Sequence, residues 1–144
     1  MDNARRDERV IETVFANAAR REQDKIPDLL HDDAIVVPFL NRELTLRASE
    51  WHGYTQRRLQ QGPILEAHAA EITRVEAGRY VVTGRVRVSL ATGGFADTGA
   101  AWAIVIKDGL IYRMKGAPTA AEARDVLDRD DWSAAPADET HGAA

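Results

Sequence analysis

Cysteine is missing from this chain. That excludes disulfides, zinc–thiolate and iron–sulfur sites and thiol nucleophiles, and it argues against a secreted scaffold held by staples. Lysine is scarce: among 19 basic residues only Lys25, Lys107 and Lys115 are lysines, and the arginines are scattered. With a formal charge of −4, the chain lacks the clustered cations that a nucleic-acid footprint needs, so no nucleic-acid partner is expected. No apolar run approaches the roughly 20 residues of a membrane span. The charged opening "MDNARRDERV" has no apolar segment of the signal-peptide kind. The expectation is a cytoplasmic protein with no membrane partner.

What is present suits one globular core. The 144 residues, 44% hydrophobic and 29% charged, are enough for a single domain. From Ala4 to Arg21, the apolar residues Val10, Ile11, Val14, Phe15, Ala18 and Ala19 recur at helical spacing, with charges on the other face. A short second helix is expected after an Asp24 cap, with Pro27 in its first turn and Leu29 and Leu30 buried. "AIVVPF" then reads as a strand ended by Pro38. After a brief strand-like stretch, Ser49 is placed to cap a third helix. There Trp51, Tyr54 and Arg58 share a face, and Gly62-Pro63 forms the stop. Gly53 inside that helix points to a close neighbour, since glycine there costs about 1 kcal/mol against alanine.

Beyond Pro63 the period changes. "ILEAHAAEITRVE", "RYVVTGRVRVSL", "GFADTGAAWAIVI" and "LIYRMKGAP" are of strand length. Ala77-Gly78, Thr92-Gly93-Gly94 and Asp108-Gly109 separate them as turns. In the second segment Tyr80, Val82, Val86, Val88 and Leu90 alternate with Thr83, Arg85, Arg87 and Ser89. "TAAEARDVLDRD" is a closing helix capped by Thr119, with Glu122 three residues on. Residues 1–128 are expected to form the domain and 129–144, rich in Ala, Pro and acids, a flexible tail. Helices followed by a strand meander give an α+β layer fold, with the helices covering one face of a twisted sheet.

The succession "FANAARREQDKIPDLLHDDAIVV", a helix, and strands ending in "AWAIVIKDGLIYRMKGAPTAAEA" resembles the nuclear transport factor 2-like superfamily, and within it the SnoaL-like proteins of bacteria. The resemblance spans about residues 6–128. It implies a cone-shaped, strongly curved mixed or antiparallel sheet, the cystatin-like α+β roll. Three helices from the N-terminal half pack on its concave face, and a short helix follows at the C-terminus. It further implies an apolar cavity and a homodimer through the outer sheet face. It does not imply one reaction, because members include isomerases, dehydratases, epoxide hydrolases, cyclases and non-catalytic binders.

Specific machinery can be checked against the residues. Ketosteroid isomerases, which resemble this chain in element order, use an Asp base, a tyrosine of the first helix and a protonated Asp on a long strand. The matching positions hold Pro38, Val14 and Trp102, so that machinery is absent. "GRVRVSL" likewise lacks the Arg-x-Asp pairing of limonene-epoxide-type hydrolases.

The remaining candidates are aromatic. Phe15, Trp51, Trp102, Tyr112 and Met114 are assigned to a wall for a small hydrophobic or aromatic ligand; ordinary core packing is the alternative for each. His68, among alanines in "EAHAAE", is the candidate general base for cofactor-free proton transfer in an isomerase, cyclase or hydrolase. Tyr54 or Tyr112 is its hydrogen-bond donor; an exposed strand histidine is the alternative. Arg85 and Arg87 belong either to the outer sheet surface or to the polar side of the cavity, with Asp97 a partner in both cases. His31-Asp32-Asp33 reads as a helix-to-strand corner, not a metal site, because adjacent carboxylates diverge. No histidine pair has ligand spacing, and no metal or other cofactor is expected. A non-catalytic dimerisation or accessory domain is the alternative to a small-molecule site.

Overall fold

Helical and period-two stretches sort into helices laid across a sheet, and the computed structural model describes residues 3–61, 65–90 and 92–134 of this arrangement. Helix α1 (Asn3–Ala19) turns Ile11, Val14, Phe15 and Ala18 into the core. A 3-10 helix (Gln23–Leu29) containing Pro27 runs straight into strand β1 (Leu30–Val37). The expected Asp24 cap does not form: the helix begins at Gln23, Asp24 lies inside its first turn, and no side chain caps it. Strand β2 (Leu46–Arg47) and a 3-10 turn (Ala48–Glu50) precede helix α2 (Trp51–Gln61). Here Glu50, not Ser49, secures the start, its carboxylate accepting the Arg47 N–H at 2.9 Å. The expected stop at Gly62-Pro63 lies outside the described residues.

Four long strands follow: β3 (Leu65–Glu76), β4 (Arg79–Ser89), β5 (Phe95–Lys107) and β6 (Leu110–Ala117). The sheet order is β2-β1-β6-β5-β4-β3, with β1 parallel to β6 and every other pair antiparallel. The turns stand where the glycines predict them, with positive φ at Gly78, Gly93, Gly94 and Gly109. The sheet is curved and does not close. One source of the bend is local: β3 carries a bulge between Ala69 and Glu71. Beneath it, a Cβ on Gly84 would overlap the His68 carbonyl.

Strand parity then divides two cores. Tyr80, Val82 and Val86 of β4, with Ala100, Trp102 and Ile104 of β5, face α1, α2 and the first 3-10 helix. Val81, Ala101, Ala103 and Ala117 point the other way. Helix α3 (Ala120–Arg129) departs from the single-face expectation by packing Ala123 and Leu127 on this second surface. Alanines there leave room for a helix to approach. Thr119 caps α3 as expected, its Oγ1 accepting the Glu122 N–H at 3.2 Å. Arg79 ties down the far end by donating to the Leu127 carbonyl at 2.6 Å.

Residues assigned to the tail by composition begin against the same face. Trp132 packs on the α3 core, and Lys115 Nζ donates to the Ser133 carbonyl at 2.7 Å. The rest of that stretch, 135–144, lies outside the described residues.

Candidate ligand cavity

Between the sheet and the α1–α2 layer lies a cavity bordered by Phe15, Val36, Phe39, Trp51, Tyr54, Trp102 and Met114, among others. It holds about 100 Å³ accessible to the centre of a water molecule. A single water needs roughly 10–15 Å³ on that measure, so there is room for a small organic group. The wall is aromatic because three elements converge. Phe15 meets Trp102 edge-on at 4.7 Å and 67°, and Phe39 is tilted against the same indole at 6.0 Å. Phe39 reaches this place by crossing β6 at Gly116, where a Cβ would stand 2.5 Å from the Phe39 Cα. Glycine is therefore required at 116 by close backbone approach.

Helix α2 supplies the opposite wall. Trp51, Tyr54, Thr55 and Arg58 all border the cavity, the i, i+3, i+4, i+7 pattern of one helical face. Trp51 Nε1 donates to the Gln23 carbonyl at 3.0 Å, fixing α2 to the first 3-10 helix. The Tyr54 hydroxyl donates to Asn41 Oδ1 at 2.6 Å, and Asn41 Nδ2 in turn donates to Glu43 at 3.2 Å. Burial pushes the Tyr54 hydroxyl above its ordinary pKa; Arg58 nearby opposes that shift and Glu43 adds to it.

The sequence-named residues divide between two places. Phe15, Trp51, Tyr54, Trp102 and Met114 come together around the cavity. Tyr112 does not join them: it borders a shallow cleft with Arg113 and Trp132. There Tyr112 meets His31 edge-on at 5.2 Å and carries the Arg113 guanidinium 3.9 Å from its ring centroid. His68 is also elsewhere. Ala67 faces the cavity, so its successor points away, paired with Arg85. The His68 side chain is 45% exposed, with Nε2 3.2 Å from Glu66.

Arg87 lies on that outer side too, bonded twice to Asp97 at 3.0 and 3.3 Å. His31-Asp32-Asp33 falls inside β1 rather than before it, at an irregularity between Leu30 and Ile35. His31 Nδ1 accepts the Asp33 N–H at 3.0 Å, which makes the histidine part of that bend. No group of three His, Asp or Glu able to hold a metal occurs among the described residues.

Sequence reasoning left Phe39, Asn41, Arg21 and Arg58 without a site role. The helical spacing of α2 could have pointed to Arg58. Nothing could have pointed to Arg21. It borders the cavity because the chain leaves α1 through a left-handed residue there, φ 62°, a conformation that costs a non-glycine residue about 1 kcal/mol.

No protein-family model matches the chain, and no curated protein matches it in sequence. Solved structures do match in shape. The chain is 15% identical to an NTF2-like protein of unknown function from Burkholderia pseudomallei K96243, covering 85% of this chain and 97% of that one, with a TM-score of 0.66. A protein from Jannaschia sp. CCS1 described as a SnoaL-like polyketide cyclase is 15% identical, with 91% and 93% covered and a TM-score of 0.62. TerC, crystallised with polyporic acid, is 16% identical, with 85% and 98% covered and a TM-score of 0.68.

The chain has the nuclear transport factor 2-like fold. Within this NTF2-like architecture, the positions that resemblance matched to isomerase groups, Val14, Pro38 and Trp102, all border the cavity. None of the three carries an ionisable side chain. Among the described residues, no helix is long and apolar enough to cross a membrane.

Proposed function

We propose that this NTF2-like protein binds a small apolar or aromatic molecule in the cavity between its sheet and the α1–α2 layer. The observation that carries this reading is the wall itself. Phe15, Phe39, Trp51 and Trp102 surround open space rather than filling it, and none of the described lining residues is Asp, Glu or His. Aromatic walls with a few polar groups suit small-ligand sites. Proton abstraction needs a base within hydrogen-bond reach, and the Tyr54 hydroxyl, neutral and already donating to Asn41, does not serve as one. Binding is therefore the function the geometry supports best.

A second reading is cofactor-free turnover of the bound molecule, as in an isomerase, cyclase or hydrolase, favoured by likeness to a protein described as a polyketide cyclase. It would need His68 to act from the outer side of β3. The two readings separate by experiment. Quenching of tryptophan fluorescence by a panel of naphthalene derivatives is expected to saturate in the wild type. Ala67→Leu, which fills the cavity, should abolish saturation in a folded protein, while His68→Ala leaves affinity unchanged. Saturation that persists in the filled variant would exclude the cavity as the site.

Pairing of two copies through the outer sheet face belongs to the same proposal. On that face the start of β5 presents Phe95, 59% exposed, beneath the Arg87 guanidinium. Light scattering on the wild type and on Phe95→Asp tests it; a monomeric wild type would end it.

A further inference from the structure

The charged residues among the described lining of the cavity are Arg21 and Arg58, both cationic. They differ in their partners. Arg21 Nε lies 3.6 Å from the Glu66 carboxylate, so much of its charge is answered. Arg58 has no hydrogen bond or ion pair among the described residues.

The other described polar groups on the same helix face are committed. Trp51 Nε1 donates to the Gln23 carbonyl, the Tyr54 hydroxyl to Asn41, and Thr55 Oγ1 to the His52 carbonyl at 3.0 Å. A polar group entering the cavity from the α2 side therefore meets, among the described residues, one open set of donors, the Arg58 guanidinium. That group offers five N–H donors and no acceptor, in a fork that fits two oxygens of an anion. Being half-buried at an apolar wall, it also acts in a setting where charge pairing is less screened than in open water.

Arginine in the last turn of a helix complements the helix dipole, and Arg58 is so placed. That effect needs only proximity to the helix end and works equally from an outward-facing side chain. It does not account for a guanidinium on the same face as Trp51 and Tyr54.

We infer that the ligand is an apolar acid: its hydrocarbon body lies between Phe15, Trp51 and Trp102, and its carboxylate is held by Arg58. The inference rests on the cavity-binding reading above and adds the charge of the ligand to it. It also predicts discrimination, because a neutral amide of the same shape gives up the charge-assisted pair.

Isothermal titration of the full chain near pH 7.5 with 2-naphthoate and 2-naphthamide tests it. The wild type is expected to bind the acid at least tenfold more tightly than the amide. Arg58→Gln should bring the two within threefold, and Arg58→Lys should retain part of the preference; circular dichroism verifies that each variant is folded. Equal binding of acid and amide by the wild type would overturn the assignment while leaving the cavity reading intact. So would a preference that survives in Arg58→Gln and disappears in Arg21→Gln. Binding of neither compound would remove both readings together.

Discussion

Tyr80 donates its hydroxyl hydrogen to Asp7 Oδ2 at 3.2 Å, joining β4 to the first turns of α1, with both residues almost fully buried. Burial first, then the Asp7 charge and hydrogen bond, push the Tyr80 hydroxyl up to about 12 from an ordinary 10.0. A raised pKa means that the folded state favours the neutral phenol. Its contribution is complete below pH 10 and is lost as pH rises towards 12, an effect of about 3 kcal/mol for two units. Tyr80→Phe leaves Asp7 without this partner and is expected to cost about 1–3 kcal/mol at pH 8. The gap between wild type and variant should then close between pH 10 and 12. Urea denaturation across that range checks it; a constant gap would show that the pair is not linked to pH.

Gly84 and Gly116 are required for space. A Cβ at 84 would overlap the His68 carbonyl, and one at 116 would press on the Phe39 backbone. Backbone cannot step aside as a flexible side chain can. Gly84→Ala and Gly116→Ala are each expected to lower stability by about 1–3 kcal/mol or more. Only Gly116→Ala should also weaken ligand binding, since it moves Phe39 and with it the ring facing Trp102. Thermal melts and tryptophan quenching on both variants separate the two effects.

The strand parity of β4 was legible in the sequence because Tyr80, Val82 and Val86 announce which face is buried. The turns were legible because Gly78, Gly94 and Gly109 permit positive φ. Trp51, Tyr54 and Trp102 could be assigned to a wall on helical spacing and kinship alone. The phase of β3 was not legible. Alanines surround His68, so no apolar stripe shows which side the imidazole takes; its pairing with Arg85 and the adjacent bulge decide that. The α3 face was hidden for a similar reason: alanines at 101, 103 and 117 carry little hydrophobic signal, although together they form its seat. Arg21 and Phe39 reach the cavity through a left-handed turn and a crossing over glycine, both set by tertiary geometry.

Gly53 behaves unlike the other two glycines. It sits inside α2, and a Cβ there would meet only the Arg57 guanidinium, at an ordinary 3.5 Å. The close neighbour expected from the sequence is not present, and nothing in the structure explains the glycine. Gly53→Ala is expected to stabilise the protein by about 0.5–1 kcal/mol through helix propensity and a less flexible unfolded chain. A rise in melting temperature with unchanged ligand affinity is the expected result. A fall would reveal a neighbour or a motion of α2 that the packing does not show.

Tyr54 lies at the meeting point of stability and binding, and its hydrogen bond decides between them. The hydroxyl is committed to Asn41, which is anchored by Glu43 on the segment between β1 and β2. Removing it leaves the Asn41 carbonyl oxygen without this donor, at a cost of about 1 kcal/mol or somewhat more. Tyr54→Phe should therefore lower stability by that amount in denaturant titrations. The aromatic wall survives the change, so affinity for an apolar acid should move by less than threefold. The preference for acid over amide, assigned to Arg58, should persist. A tenfold loss of affinity in a stably folded Tyr54→Phe protein would instead mean that the hydroxyl leaves Asn41 when ligand arrives and donates to the ligand. Arg58 would then share the recognition of the anion with it.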